Sequence, residues 1–223
     1  PVGSNHPTAA GVAGAERMLE LLGQAGPNDV AICLVSGGGS ALLPAPVEGI
    51  SLEDKQEITR QLHRSGATIG EMNAVRKHLS RVKGGRLAEA FRGRRLISLI
   101  ISDVVGDPLD VIASGPTVPD PSTYAEAWEV LERYRLQEQA PENVQRWLKR
   151  GLAGDLSETP KQLPATICHQ IIGSNALALD VARTEAEKRG YAVLDLGSCI
   201  EGESQAVVGF ATGLLRSIRE RGQ

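Results

Sequence analysis

Aromatic residues make up only 3% of this 223-residue chain. That leaves little with which to stack bases, so a platform for single-stranded nucleic acid is not expected. Charge of one sign is lacking too. The chain sets 24 Lys and Arg against 27 Asp and Glu, a formal net charge of −3, and no global basic field favours nucleic acid or an anionic membrane. No apolar run approaches the ~20 residues that span a bilayer, and no signal-peptide pattern opens the sequence. Cysteine is sparse: Cys33, Cys168 and Cys199 stand far apart, with no CxxC pair. An odd, sparse count fits buried thiols in a reducing cytosol rather than a disulfide framework or a zinc site, so a cytoplasmic location is expected. Several catalytic signatures are missing as well. There is no GxxxxGK[ST] phosphate loop, no GxGxxG after a strand, no HExxH and no GxSxG elbow.

What is present is ordinary in bulk and patterned in detail. Apolar residues account for 41% and charged residues for 23%, as in a soluble globular protein with room for a substantial core. Residues 12–22 carry apolar side chains at helical spacing. Residues 30–35 read as a strand, with 31–35 forming a buried apolar run. Ser51 and Asp54 form a capping-box pattern that starts a helix running towards Gly66. A long helix is expected over 71–91, with Gly84-Gly85 inside it. Residues 96–101 are apolar and β-branched, the mark of a buried parallel strand. A long loop over 102–122 follows, then helices over 124–134 and 142–149 and a polar, proline-bearing connection over 151–164. Residues 166–172 and 191–196 read as strands, and 176–189 and 204–219 as helices. Strands alternating with helices predict an α/β fold with a mostly parallel, helix-covered sheet, in one continuous domain. The chain starts at Pro1 and enters a helical pattern almost at once, which reads as a piece of a longer polypeptide.

Four loops carry candidate chemistry. Ser36-Gly37-Gly38-Gly39-Ser40 ends the first strand. Glycine lets the backbone turn at positive φ and approach a ligand, and free N–H groups in such a turn make an anion-binding concavity. Ligands of open α/β sheets sit beyond the carboxyl ends of the strands. The second stretch runs from Asn73 to Arg86. Asn73, Arg76, Lys77, Ser80, Lys83 and Gly84 fall at spacings of three and four and share a helical face if one helix covers them. Arg can clamp a phosphate or carboxylate bidentately, and Lys offers a point charge; a solvated basic face is the bland alternative. In the third, Asp103 follows the strand at 96–101, and Asp107 stands four residues on. A carboxylate there can hold Mg²⁺ or act as a general base on a substrate hydroxyl, or simply cap a turn. In the fourth, Ser114-Gly115-Pro116 reads as a ligand-lining turn. The lone His6 reads as structural or as a surface site.

Taken together these loops resemble a known family. Residues 34–42 around the triple glycine, 71–80 with Asn73, Arg76 and Lys77, 83–88 with Lys83-Gly84-Gly85, 101–107 with Asp103 and Asp107, and Ser114-Gly115-Pro116-Thr117 with Asp120 resemble the class II glycerate kinases, often called hydroxypyruvate reductases. The likeness covers essentially the whole chain and its motifs come in order. Near His6 the family's second proline and acidic residue give way to Thr8-Ala9-Ala10.

The resemblance implies a three-layer α/β/α Rossmann-like sandwich. It implies ATP- and Mg²⁺-dependent phosphorylation of D-glycerate to 2-phosphoglycerate. Residues 1–223 would hold most of the large N-terminal domain, without its start and without the small C-terminal domain that closes the cleft, and so would be inactive alone. By the same resemblance Asp103, Lys83 and Arg76 are the catalytic candidates. Ser36, Gly37, Gly38, Gly39, Ser40, Asn73, Lys77, Ser114 and Gly115 would bind substrate or phosphate, and Asp103 and Asp107 would hold the metal. The implied partners are glycerate and a nucleotide, with no nucleic acid and no membrane, and a homodimer is the candidate assembly. An NAD(P)H-dependent hydroxypyruvate reductase and a non-catalytic sugar-phosphate binding module are the alternatives.

Overall fold

A computed structural model describes residues 6–202 and 204–221, without the side chains of 204 and 206. The chain divides into two compact units, Pro1–Ser174 and Asn175–Gln223.

The first unit is built on a parallel sheet of β1 (Val30–Val35), β2 (Arg95–Ile101) and β3 (Ile167–Gly173), in that spatial order. Val35 pairs with Ile100, and Ile100 with Ile171. Parallel pairing puts the carboxyl ends of all three strands on one edge. The loops that leave β1 and β2, carrying the triple glycine and Asp103, are therefore neighbours. In β2 the residues Leu96, Ser98 and Ile100 are buried and alternate with less buried ones. β1 departs from expectation. Ile32 is 65% exposed and Leu34 76% exposed, because β1 pairs only with β2 and one of its faces is left uncovered among the described residues.

The larger core lies among helices. α3 (Leu52–Arg64), α4 (Ile69–His78), α6 (Tyr124–Arg133) and α7 (Glu142–Leu152) bury Ile58, Leu62, Val75, Leu131 and Leu148 together. Each such side chain contributes about 1.5–3 kcal/mol by leaving water. Three of these helices open with a complete capping box: Ser51 with Asp54, Thr68 with Glu71, and Thr123 with Glu126. Glu71 also accepts from the Tyr134 hydroxyl at 2.8 Å and from Arg133, which ties the start of α4 to the end of α6. A smaller cluster sets Ala15 of α1 (Ala9–Gly23) against Ala45, Val82 and Leu87, with half-buried Cys33 of β1 beside them.

The long helix expected over 71–91 is broken. α4 ends at His78, and α5 covers only Arg86–Glu89. Between them Gly84 and Gly85 take φ of 58° and 84°, left-handed values that an α-helix cannot contain. Asn73 and Lys83 thus reach the site from two different elements. After β3, the second unit holds the two expected helices, α8 (Asn175–Lys188) and α9 (Ser204–Arg221). The strand expected over 191–196 is absent: that stretch is exposed and has no ladder partner among the described residues, and a β-prone run becomes a strand only when a neighbour satisfies its backbone. No helix among the described residues is long and apolar enough to cross a membrane.

Candidate functional site

The loops that follow β1 and β2 meet at glycine 37. A Cβ placed there would stand 2.5 Å from Oδ2 of Asp103, so only glycine lets the carboxylate lie against the turn. The Asp103 side chain is exposed and takes no hydrogen bond from another described residue. The next glycines keep the pattern. Gly38 sits at φ 82° just before the short helix α2 (Gly39–Leu42), and a Cβ on Gly39 would stand 2.8 Å from Cβ of Ala113.

Ala113 belongs to the fourth loop, which carries unusual backbone. Ala113, Ser114 and Gly115 take φ of 53°, 62° and 58° in succession. For the two residues with a Cβ this costs on the order of 1–3 kcal/mol each. The surroundings enforce it. Gly84 N–H donates to the Ser114 carbonyl at 3.0 Å, and Gly85 N–H to the Gly115 carbonyl at 2.7 Å. Downstream, Thr117 Oγ1 accepts from buried Ser98 of β2 at 2.9 Å, and its carbonyl meets His169 Nε2 of β3 at 2.8 Å. The result is a hydroxyl held in place: Ser114 Oγ lies 2.8 Å from Ser40 Oγ and donates to Asn73 Oδ1 at 3.0 Å.

Around this serine pair stand cations. Arg76 donates to the Ser40 carbonyl at 2.8 Å. Lys83, 1% exposed, reaches the Ala113 carbonyl at 3.4 Å. Burial, then the charges of Arg76 and Lys55, hold the Lys83 ammonium well below the ordinary lysine range. Burial pulls Arg76 down as well, although a guanidinium stays charged throughout the physiological range. Both line a hollow of about 670 Å³ into which Gly38 and Ser40 also face.

Lys55 of α3 opens on the same hollow, and sequence reasoning missed it. Its ammonium is buried and has no hydrogen-bond partner. Burial first, then the charges of Arg76 and Arg86, push its pKa down to about 7. A signal was present, since Lys55, Ile58 and Leu62 fall at i, i+3 and i+7 and share the buried face of α3.

The glycine turn separates that hollow from a second, apolar one of about 520 Å³, which Ser36, Gly37 and Gly39 line together with Ile32 and Leu34 of β1. The structure therefore brings together Ser36, Gly37, Gly38, Gly39, Ser40, Asn73, Arg76, Lys83, Asp103 and Ser114. It draws Lys77 elsewhere. Lys77 is buried, 3.1 Å from Asp120 Oδ1 and 3.6 Å from Asp110 Oδ2, with its charge already matched. Burial alone would raise the Asp120 carboxyl, but Lys77 and the hydrogen bonds from Ser122 and Thr159 outweigh it and hold it below the usual range. Gly115 shapes a turn, where a Cβ would come 3.1 Å from the Asp110 backbone. Asp107 is half-buried at φ 54° on the loop of Asp103. No group of three or more His, Cys, Asp or Glu among the described residues could hold a metal ion.

A family model described as a domain of unknown function, DUF4147, matches residues 2–149. The chain is 43% identical over 217 residues to a glycerate 2-kinase of Pyrococcus horikoshii, covering 97% of this chain and 49% of that protein. It is 39% identical over 216 residues to a putative hydroxypyruvate reductase of Agrobacterium vitis, covering 97% of this chain and 48% of that one. Among solved structures, a glycerate kinase from Thermotoga maritima superposes with a TM-score of 0.75 at 44% identity, over 85% of this chain and 43% of that chain. The chain thus spans about half the length of the curated relatives it matches.

Proposed function

This chain belongs to the DUF4147 family, the N-terminal domain of the class II glycerate kinases, and on that premise we propose that the protein transfers the terminal phosphoryl group of ATP to D-glycerate, giving 2-phosphoglycerate. The observation that carries the reading is the Asp103 carboxylate set against Gly37, at the sheet edge where the glycine turn and a cation-lined hollow meet. Positioning and electrostatics do most of the work in phosphoryl transfer, and this edge offers both. The reading carries with it a cytoplasmic enzyme with a small-molecule acceptor and a nucleotide, and no nucleic acid or membrane partner.

In the proposed reaction the glycerate hydroxyl oxygen forms a bond to the terminal phosphorus. The bond from that phosphorus to the bridging oxygen breaks, and ADP leaves with the electron pair. Asp103 orients the hydroxyl and accepts its proton. The turn at 36–40 offers backbone N–H groups, and Arg76 and Lys83 offset negative charge. Asn73 and Ser114 keep Ser40 in place. Asp103 and Asp107 would supply carboxylate oxygens for magnesium, which is commonly held through one or two carboxylates plus phosphate oxygens. When bound, that ion neutralises charge on the phosphate oxygens.

A coupled assay on the full-length protein tests the reading. ADP release that depends on D-glycerate is the expected result. Oxidation of NAD(P)H with hydroxypyruvate and no ADP release would overturn it in favour of a reductase, and glycerate binding without turnover in favour of a binding module. A second expectation isolates the turn. Gly37→Ala forces the Asp103 carboxylate aside, since the new Cβ would fall 2.5 Å from Oδ2. The exposed carboxylate swings into solvent at little cost, so Tm stays within a few degrees while kcat falls at least tenfold. Unchanged kcat in Gly37→Ala would show that Asp103 does not need its place against the turn.

A further inference from the structure

The hollow beside Ser40 gathers three basic side chains, buried Lys55 and Lys83 and half-buried Arg76, and is lined by no carboxylate among the described residues. Lys55, Arg76 and Lys83 come from α3, from α4 and from the turn before α5; the charge of Arg76 lowers the proton affinity of both lysines, and Lys55 lowers that of Lys83. Arg76 and Lys83 each reach one backbone carbonyl. The ammonium of Lys55, in a residue only 8% exposed, reaches nothing. An ion left buried without a partner is costly, and the fold gains nothing in stability from an unpartnered Lys55 beside two further basic groups. Nothing in the motif pattern or the serine network uses Lys55.

We propose that Lys55, Arg76 and Lys83 form a built site for one oxyanion group of a ligand, a carboxylate or a phosphoryl, which completes the charge balance of the hollow. Gly38 and Ser40 face the same space from the glycine turn, and His6, Arg60 and His63 line its remaining wall, so the surroundings add cationic and neutral groups rather than a competing carboxylate. The site deepens the phosphotransferase reading, which supplies two sources for the anion: the glycerate carboxylate and a phosphate of the nucleotide.

The test compares wild-type full-length protein with Lys55→Met and Lys55→Arg by thermal melting at pH 6, with and without inorganic phosphate. Methionine keeps the length and apolar stem of lysine, so Lys55→Met is expected to melt higher than wild type without ligand. Wild type and Lys55→Arg are expected to gain more in Tm from phosphate than Lys55→Met, which keeps only the general salting effect. In turnover, Lys55→Met is expected to raise KM at least tenfold for one substrate and less than twofold for the other. A rise for glycerate identifies the carboxylate, and a rise for ATP the phosphoryl group. An equal phosphate shift in wild type and Lys55→Met, a lower Tm of ligand-free Lys55→Met, or unchanged KM for both substrates would overturn the proposal. If the protein turns over no glycerate, the kinase reading fails while the phosphate comparison still decides the site.

Discussion

On the proposed reaction, Asp103→Asn in the full-length protein is expected to lower kcat for ATP-dependent phosphorylation of D-glycerate by about 10²–10⁴-fold, the range of a lost general base, and to change the KM for glycerate far less. The asymmetry follows from where the side chain sits. Asp103 is exposed at the carboxyl edge of the sheet and makes no hydrogen bond to another described residue, so nothing in the fold leans on its charge. Asparagine has the same shape and leaves the approach to Gly37 undisturbed. It cannot take a proton, and it is a poor ligand for a hard cation. The variant is therefore expected to keep its unfolding free energy to within the small range of surface substitutions, roughly ±0.5 kcal/mol, and so nearly its Tm. A wild-type kcat in Asp103→Asn would remove Asp103 from the reaction. A lost kcat accompanied by a collapsed Tm would assign it a structural role instead.

Lys77 answers to the opposite logic. Lys77→Met is expected to lower Tm by roughly 6–20 °C, because Asp120 is fully buried and loses the charge that neutralises it. Removing one partner of a buried pair costs about 3–5 kcal/mol, and each kcal/mol moves Tm by about 2–4 °C at this chain length. Asp120 would keep its hydrogen bonds from Ser122 and Thr159 but not its counter-ion. The double variant Lys77→Met/Asp120→Asn is expected to recover part of the loss, since neither charge is then stranded, and a thermal melt of the two singles and the double reads the coupling directly. Lys77→Met melting within about 2 °C of wild type would mean that the pair does not hold the loop at Asp120.

Position in the sequence made some of these groups easy to find. The triple glycine ends a strand, Asp103 follows another, and Ser51 with Asp54 announces a helix start; each is a local signal, and each is present as expected. The failures share a different character. Lys77 looks like one more cation on a basic helix until Asp120, 43 residues on, comes within reach. Lys55 looks like a solvated residue behind a capping box, and its burial depends on packing that no short window contains. Gly84-Gly85 could have sat inside a helix at modest cost, but hydrogen bonds from their N–H groups to Ser114 and Gly115 select the left-handed backbone that breaks it. Residues 191–196 have the composition of a strand, yet pairing is a property of neighbours rather than of composition.

The consecutive left-handed residues at 113–115 bear on how this protein would respond to selection. Heat tolerance can be gained where the native chain is under strain or strands a charge, and here the two are linked through Lys83, which lines the hollow with Lys55 and reaches the Ala113 carbonyl. A directed-evolution campaign scored only on survival at high temperature would drift toward relaxed backbone at Ala113 and apolar side chains at Lys55. It would return robust proteins with a blunted hollow, and a screen for this family should score turnover alongside heat.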